Sequence, residues 1–181
     1  MPVYLDATAY AVLRSACDRV VPGAAEAGVA DYVDRLLGAF LVDPPAIWAG
    51  APTSGRAGGP ACFAAFVPLS TAEELAWRTR IEGSAGLPER ERLGPVVGWQ
   101  EEYRRGLGAL GADFPDADPS EQDRRLAASG HFIDLLHRHC CEGMYGAPEY
   151  GGNRDLAGWR AIGFSGDVQP RGWDEQAVTK P

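Results

Sequence analysis

Lysine is almost absent from this chain: of 17 basic side chains, all but Lys180 are arginine. Acidic residues number 25, and the formal net charge is -8. That balance excludes a nucleic-acid binder, which needs a basic stripe to neutralise phosphates. It equally excludes a polybasic membrane contact. No apolar run approaches the ~18–20 residues that cross a bilayer, so no membrane span is expected. The opening residues Met1 to Tyr10 lack a basic n-region, a twin arginine and an apolar h-region. The expected compartment is therefore the cytoplasm, or the periplasm if a twin-arginine presequence has been trimmed. Cys17, Cys62, Cys140 and Cys141 show no C-x-x-C and no zinc-like spacing, and are too few for a disulfide scaffold. No run alternates Val, Ile, Thr and aromatic residues, so no strand is predicted. No internal repeat is visible.

Apolar residues make up 45% of the chain, enough for one core, but 23 Gly and 14 Pro interrupt it. The fold class that follows is all-α: a bundle of five to seven short helices with long Gly/Pro-rich loops. One domain spans 1–181, with a helical body over 6–142 and an irregular, loop-rich C-terminal arm over 143–181. Asp6 caps a first helix with Val12, Leu13, Ala16, Cys17 and Val20 on one face, ended by Pro22-Gly23. A second helix buries Val29, Val33, Leu36, Leu37 and Phe40, turns Asp31, Asp34 and Arg35 to solvent, and stops at Asp43-Pro44-Pro45. Residues 44–60 read as loop. Ser70-Thr71-Ala72-Glu73 is a capping box opening a helix to about Ile81, with Leu75 and Arg78 along it. After a Gly/Pro break from Gly83 to Pro88, a longer helix is predicted from Pro95 to Leu110. Its inward face is Val96, Trp99, Tyr103, Leu107 and Leu110. Asp118-Pro119 starts the next helix, to Ala128, and Gly130 separates it from one over His131 to Tyr145. A short amphipathic stretch follows from Asp155 to Ala161.

Catalytic signatures are weak. His137 and Cys141 are four apart on one helix face, a spacing that can hold a metal, but two ligands do not make a site. His131 and His139 supply the rest of an alternative reading, a self-sufficient metal- or histidine-dependent enzyme. No G-x-S-x-G elbow exists, and Ser165 is its nearest approach. No dinucleotide or triphosphate loop occurs. No catalytic, cofactor-binding or metal residue is therefore assigned.

The distinctive text lies between Gly143 and Phe164. Tyr145, Pro148, Tyr150, Gly151, Gly152, Asn153, Arg154, Trp159, Gly163 and Phe164 are read as a partner interface, with an equal alternative in which the aromatics Tyr145, Tyr150, Trp159 and Phe164 close the lower end of the core. Glycines permit close backbone approach, Asn153 tolerates left-handed geometry, and the aromatic rings are the usual anchors of an interface. This stretch, with Glu142 and Ile162, resembles the signature of the gluconate 2-dehydrogenase subunit 3 family. Asp18, Arg19, Pro22, Ala27, Gly28, Tyr32 and Asp34 resemble the family's opening. The resemblance implies a helical, non-catalytic small subunit with no cofactor of its own. It implies a larger flavoprotein partner of the glucose-methanol-choline type, holding FAD and oxidising a sugar, polyol or glycoside hydroxyl. Heterodimers or higher heteromers follow, and a cytochrome c subunit is a further candidate partner. A transient assembly chaperone is the neighbouring reading.

Overall fold

The computed structural model describes residues 2–50 and 67–164. Seven α-helices lie among them: α1 (Ala7–Val20), α2 (Val29–Leu37), α3 (Thr71–Glu82), α4 (Trp99–Leu110), α5 (Pro119–Ala128), α6 (His131–Tyr145) and α7 (Ala157–Ile162). The described residues contain only two isolated β-bridges, Gly50 with Val67 and Arg92 with Gly94, and no strand. The all-α expectation holds. Cys62, Ser165 and most of the predicted 44–60 loop lie outside the described residues, as does the arm beyond Phe164.

Local chemistry sets the helix ends. Asp6 accepts from Ala9 N at 2.8 Å. Ser70 and Glu73 form the reciprocal capping box. Asp118 accepts from Ser120 N and Glu121 N, with Pro119 at the first helical position. Each side-chain oxygen satisfies an amide that has no carbonyl partner in the first turn.

α1 lies against α2, α4, α5 and α6, and α2 runs along α6. Val12, Leu13, Val33, Leu37, Tyr103, Phe114, Leu135 and Leu136 fill the space between them. Gly106 makes one close crossing possible: a Cβ there would stand 2.3 Å from the Phe132 ring. A smaller cluster of Ala39, Ile47 and Ile81, backed by Trp77 and Trp99, joins α3 to the bundle.

Three expectations are corrected. α2 ends at Gly38 and not at Asp43-Pro44, because the Gly38 amide closes the last turn onto the Asp34 carbonyl. α4 starts at Trp99 and not Pro95, and Val96 is exposed, since residues 83–98 close a loop of their own. Asp34 is not solvated: it is 2% exposed. Its carboxylate accepts from Val3 N, from Tyr4 N at 3.1 Å and from Leu5 N at 2.8 Å. The N-terminal segment is thereby tied across α2. Asp34→Ala should cost about 2 kcal/mol in a urea titration, the range for hydrogen bonds to a charged group. Asp34→Asn, which keeps one acceptor oxygen, should recover part of it. A loss no larger than that of a surface substitution would contradict this role.

Candidate partner interface

The segment after α6 is built from strained backbone held by hydrogen bonds. Asn153, Asp155 and Leu156 all have positive φ, at 45°, 54° and 58°. Non-glycine residues visit that region at a cost of ~1–2 kcal/mol each. Asn153 offsets it. Its amide donates to Gly143 O at 2.7 Å and its Nδ2 to Gly146 O at 3.0 Å. Its Oδ1 accepts from Gly158 N at 2.9 Å. The side chain is fully buried and bonded on both faces.

Those bonds lay α7 across the end of α6. A Cβ at Gly158 would sit 1.8 Å from the Met144 carbonyl oxygen, so only hydrogen fits there. Trp159 is buried and donates from Nε1 to Tyr145 O at 2.6 Å. Gly152 is buried against the Gly143 carbonyl.

The same segment is fastened to the turn between α1 and α2. Arg154 N donates to Ala27 O at 2.9 Å. The Arg154 guanidinium pairs with Asp31 at 2.7 Å and lies over the Cα of Gly28, whose φ of 74° suits glycine. Asp31 also accepts from Tyr10 at 2.6 Å. Burial and that neighbouring carboxylate push the Tyr10 hydroxyl up to about 12. Tyr32 donates to Glu142 at 3.1 Å and packs beside Gly143. Asp18 caps the turn itself, accepting from Gly23 N and Ala25 N. The two distinctive stretches of the sequence, more than a hundred residues apart, are thus two halves of one clasp.

The clasp divides the ten residues read as an interface. Gly152, Asn153 and Trp159 face the chain's own interior, and Arg154 is half-exposed but ion-paired. Tyr145, Tyr150 and Phe164 keep roughly two-fifths of their surface in solvent (38%, 40% and 46%). Pro148 and Gly151 lie in the turn carrying Tyr150, and Gly163 follows α7. Ile162, at 59%, extends the exposed edge. Phe164 meets Trp159 edge-on at 4.9 Å, and Tyr150 meets Trp48 at 6.1 Å. No local pattern pointed to Trp48, which reaches Tyr150 only through the fold.

The histidines do not gather. His131 and His137 are exposed on α6, and His137 Nε2 lies 3.6 Å from Cys141 Sγ. His139 is fully buried, its Nδ1 2.9 Å from the Tyr103 hydroxyl and its ring 4.5 Å from that of Trp99. Burial, then the Arg138 charge, lowers it to about 4. It is a neutral core residue at ordinary pH. Among the described residues, no three His, Cys, Asp or Glu side chains converge on a metal-sized site. Cys17 and Cys140 are buried, and contact with Cys140 together with burial pushes the Cys17 thiol up. Burial also raises the Cys141 thiol. Neither is an activated thiolate. No described helix is long and apolar enough to cross a membrane.

A family model described as Gluconate 2-dehydrogenase subunit 3 matches residues 7–166. No curated protein and no solved structure matches the chain.

Proposed function

The chain belongs to the gluconate 2-dehydrogenase subunit 3 family, and from that premise we propose that it is a non-catalytic small subunit which binds and stabilises a flavin-dependent oxidoreductase acting on a sugar, polyol or glycoside. The family's description places it in a dehydrogenase of several subunits. In this reading FAD and the substrate pocket belong to a large subunit of the glucose-methanol-choline type. This chain contributes surface and no reacting group.

One observation carries the reading. The clasp bonds Asn153, Gly158, Trp159 and Arg154 internally and turns Tyr145, Tyr150, Ile162 and Phe164 outward. Beside the exposed Asp155 and Arg160, the segment presents rings and an aliphatic side chain on a strained but pinned frame. Preorganised aromatic anchors lose little entropy on association, so their burial is available for affinity.

Co-expression tests it. The large subunit should appear in soluble, flavin-loaded form together with this chain, and its yield should fall several-fold without it, as expected when a destabilised subunit is degraded. Size-exclusion chromatography should give a stable complex of fixed stoichiometry. A substoichiometric trace would point to a chaperone that departs after assembly. Turnover of a sugar by the isolated chain would overturn the proposal.

A further inference from the structure

Residues 83–98, between α3 and α4, form a loop whose ends touch: a Cβ on Gly98 would stand 2.3 Å from Gly83 N. Loops closed in this way pack on their own side chains and frequently carry function. The polarity of this one is inverted. Ser84 is buried, donates to Glu91 at 3.0 Å and accepts from Val96 N at 2.8 Å. Arg90 turns inward, donating to Gly83 O at 3.0 Å and pairing with Glu82 at 2.9 Å. Leu87, Leu93, Val96 and Val97 face solvent, and Leu93 is fully exposed. The internal polar bonds fix the backbone, so the aliphatic side chains are held out and cannot collapse inward. Clustered apolar exposure of this kind marks an interaction site.

Beside the loop runs a groove of about 530 Å³, between α3, α4 and the first half of α6. Leu75, Val96, Val97, Trp99 and Leu135 supply its apolar wall. Arg80, Arg92 and Arg138 stand on its edge, with Glu89 and Glu102. None of those three arginines has a carboxylate partner among the described residues; Arg14, Arg35 and Arg160, elsewhere on the chain, also lack one, whereas the other eight described arginines are paired. The Arg80 guanidinium lies over the Trp77 and Trp99 rings, 5.2 and 5.7 Å from their centroids. Its N–H edge remains open to an anion. Glu89 and Glu102 are likewise unpaired, so three free cations face two free carboxylates and the groove keeps a local positive excess on a chain of net charge -8.

We propose that the 83–98 loop and this groove receive an extended acidic and apolar segment of the large dehydrogenase subunit. An aliphatic or aromatic side chain of that segment enters beside Leu93 and Val97, and its carboxylate meets Arg92 or Arg138. The inference rests on the subunit reading above and adds a second contact to it, away from the α7 clasp. Charge favours this occupant over two others. A second copy packed face to face would join two edges of the same net charge, each with three unpaired arginines against two glutamates. A bilayer surface would meet Glu89 and Glu102, and lipid-binding clusters use ~4–8 cations where this groove has three unpaired arginines and Arg90, already paired with Glu82.

Photo-crosslinking in the assembled complex tests it. A benzophenone amino acid is placed at position 93 in one sample and at position 150 in another, each in the full chain co-purified with the large subunit. Leu93 makes no packing contact to lose, so the probe leaves the fold intact. The position 93 probe should capture a large-subunit peptide containing Asp or Glu beside an apolar residue. Arg92→Glu with Arg138→Glu should cut that capture at least tenfold, and Arg92→Lys with Arg138→Lys much less. Capture of lipid, of this chain or of nothing at position 93, while position 150 captures the large subunit, overturns the inference and leaves the subunit reading standing. Capture of a large-subunit peptide without a carboxylate overturns it too. If no large subunit co-purifies at all, the subunit reading fails first.

Discussion

Gly158→Val should release α7 from the bundle and lower stability by about 3 kcal/mol, the scale of overpacking together with a tryptophan leaving its site. The reason is that the neighbour is backbone. The Met144 carbonyl oxygen would stand 1.8 Å from any Cβ at position 158, and it belongs to α6, the longest helix of the bundle. It cannot step aside without unwinding that helix's last turn. The cheaper response is for α7 to lift. Asn153 then loses its bond from Gly158 N, and Trp159 loses the Tyr145 carbonyl. Hydrogen exchange should show amides of 153–164 losing protection while those of α1, α2 and α6 keep theirs. Tryptophan emission should shift to the red. Because Tyr150, Ile162 and Phe164 are then no longer held in one arrangement, capture of the large subunit should fall with the clasp. Gly108 provides the contrast. A Cβ there meets nothing within 4 Å, and it lies inside α4. Gly108→Ala should therefore raise stability by up to ~1 kcal/mol through helix propensity alone. Equal behaviour of the two variants would remove the argument for the clasp.

A second large effect is expected on acidification. His139 titrates at about 4 in the folded chain against 6.5 when unperturbed. The unfolded chain therefore binds the proton first, and stability falls as pH drops from 6.5 towards 4. At ~1.4 kcal/mol per unit the loss approaches about 3 kcal/mol by pH 4, and none of it is felt above pH 7. The cause is geometric: protonation would place a cation between the Tyr103 hydroxyl and the Trp99 ring, away from water. Glu101, lowered to about 2 by its pairing with Arg104 and Arg105, titrates well below this window. The two contributions thus separate along the pH axis. His139→Gln keeps a polar contact to Tyr103 and cannot titrate, so its urea-unfolding midpoint should be nearly flat between pH 6.5 and 5. A slope as steep as that of the parent chain would show that another group controls acid sensitivity.

What could be read from the sequence followed from interactions between near neighbours. Asp6, Ser70 with Glu73, and Asp118 with Pro119 announced three helix starts because a cap reaches only two or three residues ahead. The apolar faces of α1 and α2 were visible for the same reason: a 3.6-residue period is a local property. The family was legible too, because its glycines and aromatics occur at fixed spacing in two compact stretches. Their presence did not say what each residue faces. Asn153 and Trp159 look like surface anchors in one dimension, and Asp34 looks solvated. Each is buried only because a distant segment lies over it: α6 and α7 over the first two, residues 3–5 over the third. The outward turn of Leu93 and Val97 likewise depends on Ser84 and Arg90 closing the loop beneath them. Helix content, caps and family membership were thus determined by the sequence alone. Which aromatic rings are left to meet another protein was decided by the tertiary structure, since burial is a relation between segments far apart in the chain and no local pattern encodes it.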